Sequence, residues 1–397
     1  MTMQLAVLPQ LRRVGRSERA THPLRDSVAA VIEEDALELL DPERIELMAE
    51  DMGLVERHRV HHVGLVVNAL VLSTMQRSTD TQGRWLDAQT TYEQIGGTDS
   101  GSTSFRNQVR KMAPVLQRLL RQRLRATAVA ASTPELRGRL RDFADILIPD
   151  GCAFKLAAAL SNVYAGTGQP AELKLHAVYS VRAGGVQSIK ETAGSVHDSD
   201  GFWPEWQKGA LYLWDLAFVS HERFVAATTA GAHVLQRLKS DGNPIVLASY
   251  GATGQRRDLV HDDGRPMRLD EACAHGFVHQ QSVLDLDVKI IHGDRNVVAR
   301  VVCVPFGGED RYYLTTLPRE IFTPHDIAEM YRMRWEIERF FAGWKGALRL
   351  DEVRRLKHPV SLEVAVTASL LAAVLAHRIT AVVNDLEKIA ADAAATP

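Results

Sequence analysis

Cysteine is scarce in this chain. Its 397 residues include three, Cys152, Cys273 and Cys303, odd in number and far apart. That excludes a disulfide framework and any CxxC metal clip. An excess of one charge is also missing: 47 basic residues against 49 acidic ones leave a net charge of −2. Binding to nucleic acid would therefore have to rest on local patches. No internal repeat and no low-complexity tract is present. Residues 1–13 lack the continuous apolar core of a signal peptide. The apolar run at 60–75 carries His61, His62 and Asn68, which suits a buried helix better than a membrane span. A cytoplasmic protein without a membrane partner is expected.

What is present is enough to build a core. Hydrophobic residues make up 46% of the chain and charged residues 24%, which suits two or three folded domains. Residues 1–140 read as helical. Apolar residues recur at helical spacing over 26–40, Asp41-Pro42 punctuates, and a second helix runs to Met52. A Gly- and Ser-rich loop at 96–104 feeds a basic helical region over 105–124, which Pro114 kinks or splits. Arg106, Arg110, Lys111, Arg118, Arg121, Arg123 and Arg125 crowd there. Solvated helix faces are the ordinary explanation, but short helices with a basic second helix also suit DNA.

Near residue 145 the period changes to that of strands. The runs 145–150 and 211–215 each end on an acid. Between them 174–181 is a strand candidate, and 193–197 is a possible third. A helix over 220–229, a break at Gly231 and a strand over 233–239 make a β-α-β crossover, so the fold class is α/β with a mixed sheet. Residues 240–310, short strands between Gly and Asp turns, read as a β-rich insertion. After a strand at 312–316, Thr323 and Pro324 open a helix as N-cap and first-turn residue. Residues 358–390 are apolar and Ala-rich, as closing helices would be. The partition is 1–140 helical, 141–240 first part of the core, 241–310 insertion, 311–357 last part of the core, and 358–397 closing helices.

The helix after Thr323 carries the strongest pattern. Tyr331, Arg334, Glu338 and Lys345 stand at offsets 0, 3, 7 and 14. At about 100° per residue, one continuous helix puts all four in one narrow stripe. Asp150, Asp215 and Glu338 together are what a two-metal phosphoryl-transfer site needs, because Mg²⁺ takes hard oxygen ligands. Burying three carboxylates without a cation costs several kcal/mol each. Either Asp alone is ordinarily a turn residue or helix cap, and Asp145 competes with Asp150 as first acid. His61, His62, His197, His221 and His279 show no zinc spacing.

Tyr-x2-Arg-x3-Glu-x6-Lys is the YREK signature. It resembles that of bacterial insertion-sequence transposases of the DDE type, the IS-four group related to the transposon Tn-five enzyme. Residues 312–318 resemble the family's strand and T-x-L turn, 146–155 its first-Asp segment, and 213–219 its second. The likeness covers about 145–360. Cys152 stands where the family usually has Thr, and Ala217-Phe218 where it often has Gly-Tyr.

The resemblance implies an RNase H-like core interrupted by a β-rich insertion, flanked by helical N- and C-terminal regions. It implies metal-dependent nicking at transposon ends, then attack of the freed 3′-OH on target DNA, by a cut-and-paste route. Asp150, Asp215 and Glu338 would hold two Mg²⁺ ions, with Mn²⁺ substituting. Tyr331, Arg334 and Lys345 would contact DNA phosphates, with Arg237 a further candidate. Arg110 and Lys111 would help recognise the ends. Partners would be the terminal inverted repeats, target DNA and a second copy in a synaptic homodimer, at the nucleoid. Trp335 and Trp344 read more simply as core than as base-stacking groups. A nuclease of the same fold, a non-catalytic DNA-binding descendant and a glycosidase-like carboxylate pair are the rivals. The last gives Tyr331, Arg334 and Lys345 no role.

Overall fold

Chain chemistry sets the boundaries of the helices. In the computed structural model, which describes residues 40–55, 61–75, 83–99, 101–129, 138–201, 205–239, 242–251, 254–274, 283–306, 309–347 and 350–394, Asp41 caps helix α1 (Pro42–Asp51). Its carboxylate accepts from the amides of Glu43 and Arg44 at 3.0 and 3.3 Å, which satisfies two of the first-turn donors. Helices α2 (Val63–Thr74), α3 (Gly83–Gln94), α4 (Ser102–Val109) and α5 (Ala113–Val129) follow. The basic region is thus split, with Pro114 in the first turn of α5, where its missing N–H has no cost. Arg110 and Lys111 lie exposed in the α4–α5 turn, whereas Arg123 is buried. The helix expected over 26–40 lies outside the described residues.

Strands β1 (Ile146–Lys155), β2 (Glu172–Ser180), β3 (Gly185–Ala193) and β4 (Leu211–Trp214) come next. Helix α6 (His221–Thr229), capped by Ser220, leads to β5 (His233–Arg237). Then come β6 (Ile245–Tyr250), β7 (Arg256–Asp258), α7 (Leu269–Ala274), β8 (Leu284–His292), β9 (Arg295–Phe306) and β10 (Glu309–Thr315). Helices α8 (Pro324–Arg332), α9 (Trp335–Ala347) and α10 (Pro359–Ala394) close the described chain.

All ten strands form one mixed sheet in the order β3-β2-β1-β4-β5-β10-β9-β8-β6-β7. β1, β4 and β5 run parallel to one another and the other pairings are antiparallel. The strands of 240–310 therefore extend the core sheet beyond β10. The third strand is Gly185–Ala193, not 193–197. Its face is largely half-exposed, so apolar alternation does not mark it, and pairing with β2 defines it instead.

The two sheet faces bury different clusters. Leu147, Tyr212, Trp214 and Val234 point to one, with α6 residues. Ile146, Ile148, Leu211, Leu213 and Leu235 point to the other, with residues of α8, α9 and α10. The stretch Pro359–Ala376 of α10 has the length and apolarity of a membrane span, but 78% of it is buried inside the fold. Arg84 of α3 fastens it there, donating to Ala365 O at 3.0 Å and Ser369 Oγ at 2.5 Å.

Candidate active site

Strand register brings the two aspartates together. β1 and β4 pair in parallel with Ile146 opposite Leu211 and Leu147 opposite Tyr212. Four residues on from each partner lie Asp150 and Asp215, so equal steps along parallel neighbours end on acids side by side. Alternation along a strand puts both on the face of Ile146, Ile148, Leu211 and Leu213, which is the face that α8 and α9 cover. Arg237 shares Leu235's face on β5 and stands opposite Tyr313 of β10. The Tyr313 ring lies 5.2 Å from that of Tyr331.

The competing first acid is placed elsewhere. Asp145 precedes β1 and spends its carboxylate on structure, accepting from the Ile146 amide and the Ser180 hydroxyl at 2.6 Å and from the Arg182 amide at 3.1 Å. Asp215 precedes a 3₁₀ turn, Leu216–Phe218, yet its side chain makes no capping bond. Asp215 is thus a turn residue: its carbonyl accepts from the Phe218 amide at 3.0 Å, and its carboxylate is not used as the cap.

The signature segment is not one helix. The ladder breaks between α8 and α9, where Arg334 N donates to Tyr331 O at 3.1 Å and Glu336 N to Met333 O at 3.0 Å. These i→i+3 bonds tighten the chain at Met333-Arg334, so the continuous stripe expected from sequence does not form. The break lets each half be seated separately. Tyr331, 9% exposed, donates its hydroxyl to Trp214 O at 3.2 Å, beside Asp215. Arg334 then turns toward the acids. Its guanidinium lies 2.5 Å from Glu338 Oε1 and 3.8 Å from Asp150 Oδ2, with the side chain 12% exposed. The backbone of Lys345 lies in α9, but its side chain is outside the described residues, as is that of Trp344. Trp335 is not core: it is 62% exposed.

Electrostatics ties the acids together. Burial pushes the Asp150 carboxyl up to about 6; the Gly151 amide bond and the Arg334 charge oppose this, while the nearby charges of Asp215 and Glu338 add to it. Burial also raises the Tyr331 phenol, helped by the Asp215 charge. Burial works against the charge on Arg334, but Asp215 and Glu338 outweigh it and hold the group above its usual range. A site that buries one carboxyl beside two others while holding one Arg is set up for additional positive charge. The donors are all hard oxygens, the set a Mg²⁺-type ion takes. As they stand, no three His, Cys, Asp or Glu groups among the described residues form a ready ligand set. Glu338 is turned to Arg334 through Oε1.

One supporting group gave no sequence signal. Asp198, in a single helical turn, lies against Gly151: a Cβ there would meet Asp198 Oδ1 at 2.2 Å. A larger residue directly after Asp150 would have to displace the Asp198 carboxylate. Asp198 is in turn 3.5 Å from Lys174 and 3.7 Å from the buried ring of His176. No spacing rule links residues 151, 174, 176 and 198; the register of β1 on β2 brings Gly151 to His176 and near Lys174, and the turn at Asp198–Gly201 lays Asp198 over them.

Residues 145–375 match the family model of the transposase DDE domain. The chain belongs to the DDE transposase family. Among curated members of the wider group, the transposase for insertion sequence element IS231E of Bacillus thuringiensis subsp. finitimus is 21% identical over 251 residues, covering 54% of this chain. That for IS231B of Bacillus thuringiensis subsp. berliner is 20% identical over 362 residues, covering 80%. The transposase for IS421 of Escherichia coli is 40% identical over 62 residues, 16% of each chain. This DDE transposase-family chain spans about half the length of the first relative (52%) and 73% of the second. The family match begins at Asp145 and takes in Asp150, Asp215 and Glu338.

Proposed function

We propose that this chain is an insertion-sequence transposase of the YREK-bearing IS-four group, cutting DNA at its element's ends and joining them to target DNA. One observation carries the reading: Arg334 lies between Glu338 and Asp150, and the charges of Asp215 and Glu338 both act on Asp150, inside a DDE-family domain. In this reading the antiparallel β3-β2-β1 and parallel β1-β4-β5 strands are the RNase H-like core, β6–β9 the insertion, and the helices of 1–140 the end-binding region. Asp150, Asp215 and Glu338 are the ligands of two Mg²⁺ ions. Bound there, the cations would activate the attacking oxygen and stabilise the leaving one.

The protein's own groups do the rest. Arg334 is already desolvated, and a planar guanidinium matches phosphate oxygens two at a time. Arg334 is placed to hold the scissile phosphate beside Asp150. Arg237 and Lys345 are assigned to flanking phosphates. Tyr331 acts chiefly by seating α8 on the strand end, since its hydroxyl is committed to Trp214 O. Synapsis of two ends calls for a homodimer, and such substrates place the enzyme at the nucleoid.

The test uses purified protein, Mg²⁺ or Mn²⁺, a labelled duplex carrying one element end, and a supercoiled target plasmid. The transposase reading expects cuts at the element's terminus and label joined to plasmid. Cuts without joining would favour a nuclease on the same fold. Binding without cuts would mean a non-catalytic descendant. Replacing the exposed pair Arg110 and Lys111 by Ala is expected to weaken end binding and flatten its salt dependence by up to about two phosphate contacts; an unchanged salt slope removes this turn from the interface.

A further inference from the structure

A charged network in the sheet extension reaches the signature segment, and the mechanism above gives it no part. Arg300 of β9 is buried, 4% exposed. Its Nε and Nη2 donate to the two oxygens of Asp285 on β8, each at 2.7 Å. Its remaining nitrogen, Nη1, donates to Phe322 O at 2.7 Å and reaches Leu317 O at 3.5 Å. From the same turn, Arg319 Nη2 lies 2.5 Å from Asp287 Oδ1 and 3.3 Å from Asp285 Oδ1. Its guanidinium sits 3.4 Å from the centroid of the Tyr250 ring, and the Tyr250 hydroxyl donates to Asp287 Oδ2 at 2.9 Å. Two Arg and two Asp balance in charge.

Such a network adds little net stability over apolar residues of the same volume. What it supplies is direction, because a guanidinium bound at both edges has one orientation. The object it holds is the approach to α8. Phe322 is followed by Thr323, whose hydroxyl caps α8 in a capping box with Asp326. The far end of α8 is held by Tyr331 on Trp214 O. Arg334 follows three residues later and Glu338 one turn after that. The nine-residue helix is thus clamped at both ends, by Arg300 in front and Tyr331 behind.

We propose that Arg300, with Asp285 and Arg319, is a positioning device: it ties strands β8 and β9 to the start of α8 and so sets where Arg334 and Glu338 stand relative to Asp150. Arg300 touches no reacting group and acts through the Phe322 carbonyl. The reaction it serves rests on the transposase reading; the mechanical tie does not. Without this tie, the sheet extension and the signature helices could shift against each other while each stayed folded.

The experiment measures hydrogen exchange and metal-dependent end cleavage on the full chain for three variants. Arg300→Lys keeps the charge but cannot bridge Asp285 and the Phe322 carbonyl together. Arg319→Ala removes a partly exposed contact. Arg300→Met with Asp285→Leu removes the buried charges as a pair, which keeps the fold accessible. Expected in all three is exchange about tenfold faster at 324–338, with amides of β1, β4 and β5 unchanged. The cleavage kcat is expected to fall by about 10- to 100-fold while KM for the DNA end stays within about twofold. Wild-type exchange at 324–338 would overturn the proposal, as would faster exchange spread evenly over the whole sheet. If wild type itself fails to cleave, the transposase reading falls, and the exchange data alone still decide whether Arg300 holds α8.

Discussion

Asp150→Asn is expected to abolish strand cleavage and, at the same time, to make the protein more stable. On the proposed mechanism the loss of activity should be at least about 10³-fold, since it would remove a metal ligand and a charge beside the reacting phosphate together. The gain in stability follows from the carboxyl's position. Its folded pKa is about 6 against an ordinary value of 3.8. Below the ordinary value both folded and unfolded chains hold the proton, and the group contributes nothing. Between about 4 and 6 the unfolded chain ionises first, so stability falls as pH rises. Above 6 the full penalty of about 3 kcal/mol is in place. Asn carries no charge to bury and still accepts the Gly151 amide. Part of the gain is offset because Arg334 loses a partner, so about 1–3 kcal/mol is expected near pH 8 and almost none near pH 4. Urea unfolding at the two pH values measures it. A variant less stable than wild type at pH 8 contradicts the strained-acid account. Divalent cation should narrow the difference by stabilising wild type alone.

The second large effect lies far from the chemistry. A Cβ on Gly64 would fall 2.0 Å from Pro42 O and 2.6 Å from Pro42 C and Cα. Helix propensity favours Gly64→Ala by about 1 kcal/mol. Packing opposes it, and more strongly, because all three atoms are backbone at the first turn of α1 and none can rotate away. α2 is buried over nearly its whole length, so the α1–α2 crossing must open into the core. A net loss of at least about 3 kcal/mol is expected, at the severe end of overpacking. A denaturation midpoint equal to wild type would show that the two helices do not meet so closely.

Much of the core was legible in the sequence because its signals are local. The run 211–215 became β4, while the run 145–150 became only the first half of β1, which continues past Asp150 to Lys155 through its pairing with β2; the Ser220 and Thr323 caps opened α6 and α8, and Gly231, with φ of 77°, turned the chain between α6 and β5. The choice of Asp150 over Asp145 rested on where the apolar run ended; the Asp145 carboxylate is bonded to Ser180 and Arg182. What stayed hidden depends on partners distant in sequence. The break at Met333-Arg334 has no Pro or Gly to announce it; it answers to Trp214 on one side and Asp150 on the other. The exposure of Trp335 follows from that break, because one continuous helix would carry it to a different face. β3 is defined by β2, not by its own pattern. The Arg300–Asp285 pair joins neighbouring strands and a turn that the chain reaches much later, and nothing in the spacing of these residues foretells it.

The most direct measurement of the central claim is metal-dependent cleavage of a duplex bearing the element's end, by wild type and by Glu338→Gln. Gln keeps the size of the side chain and removes the charge that α9 brings to the two aspartates. The account predicts cuts at the terminus with Mg²⁺ or Mn²⁺ for wild type, none for the variant, and equal binding of the duplex by both. Cleavage that survives in Glu338→Gln would mean that Asp150, Asp215 and Glu338 are not together the catalytic centre.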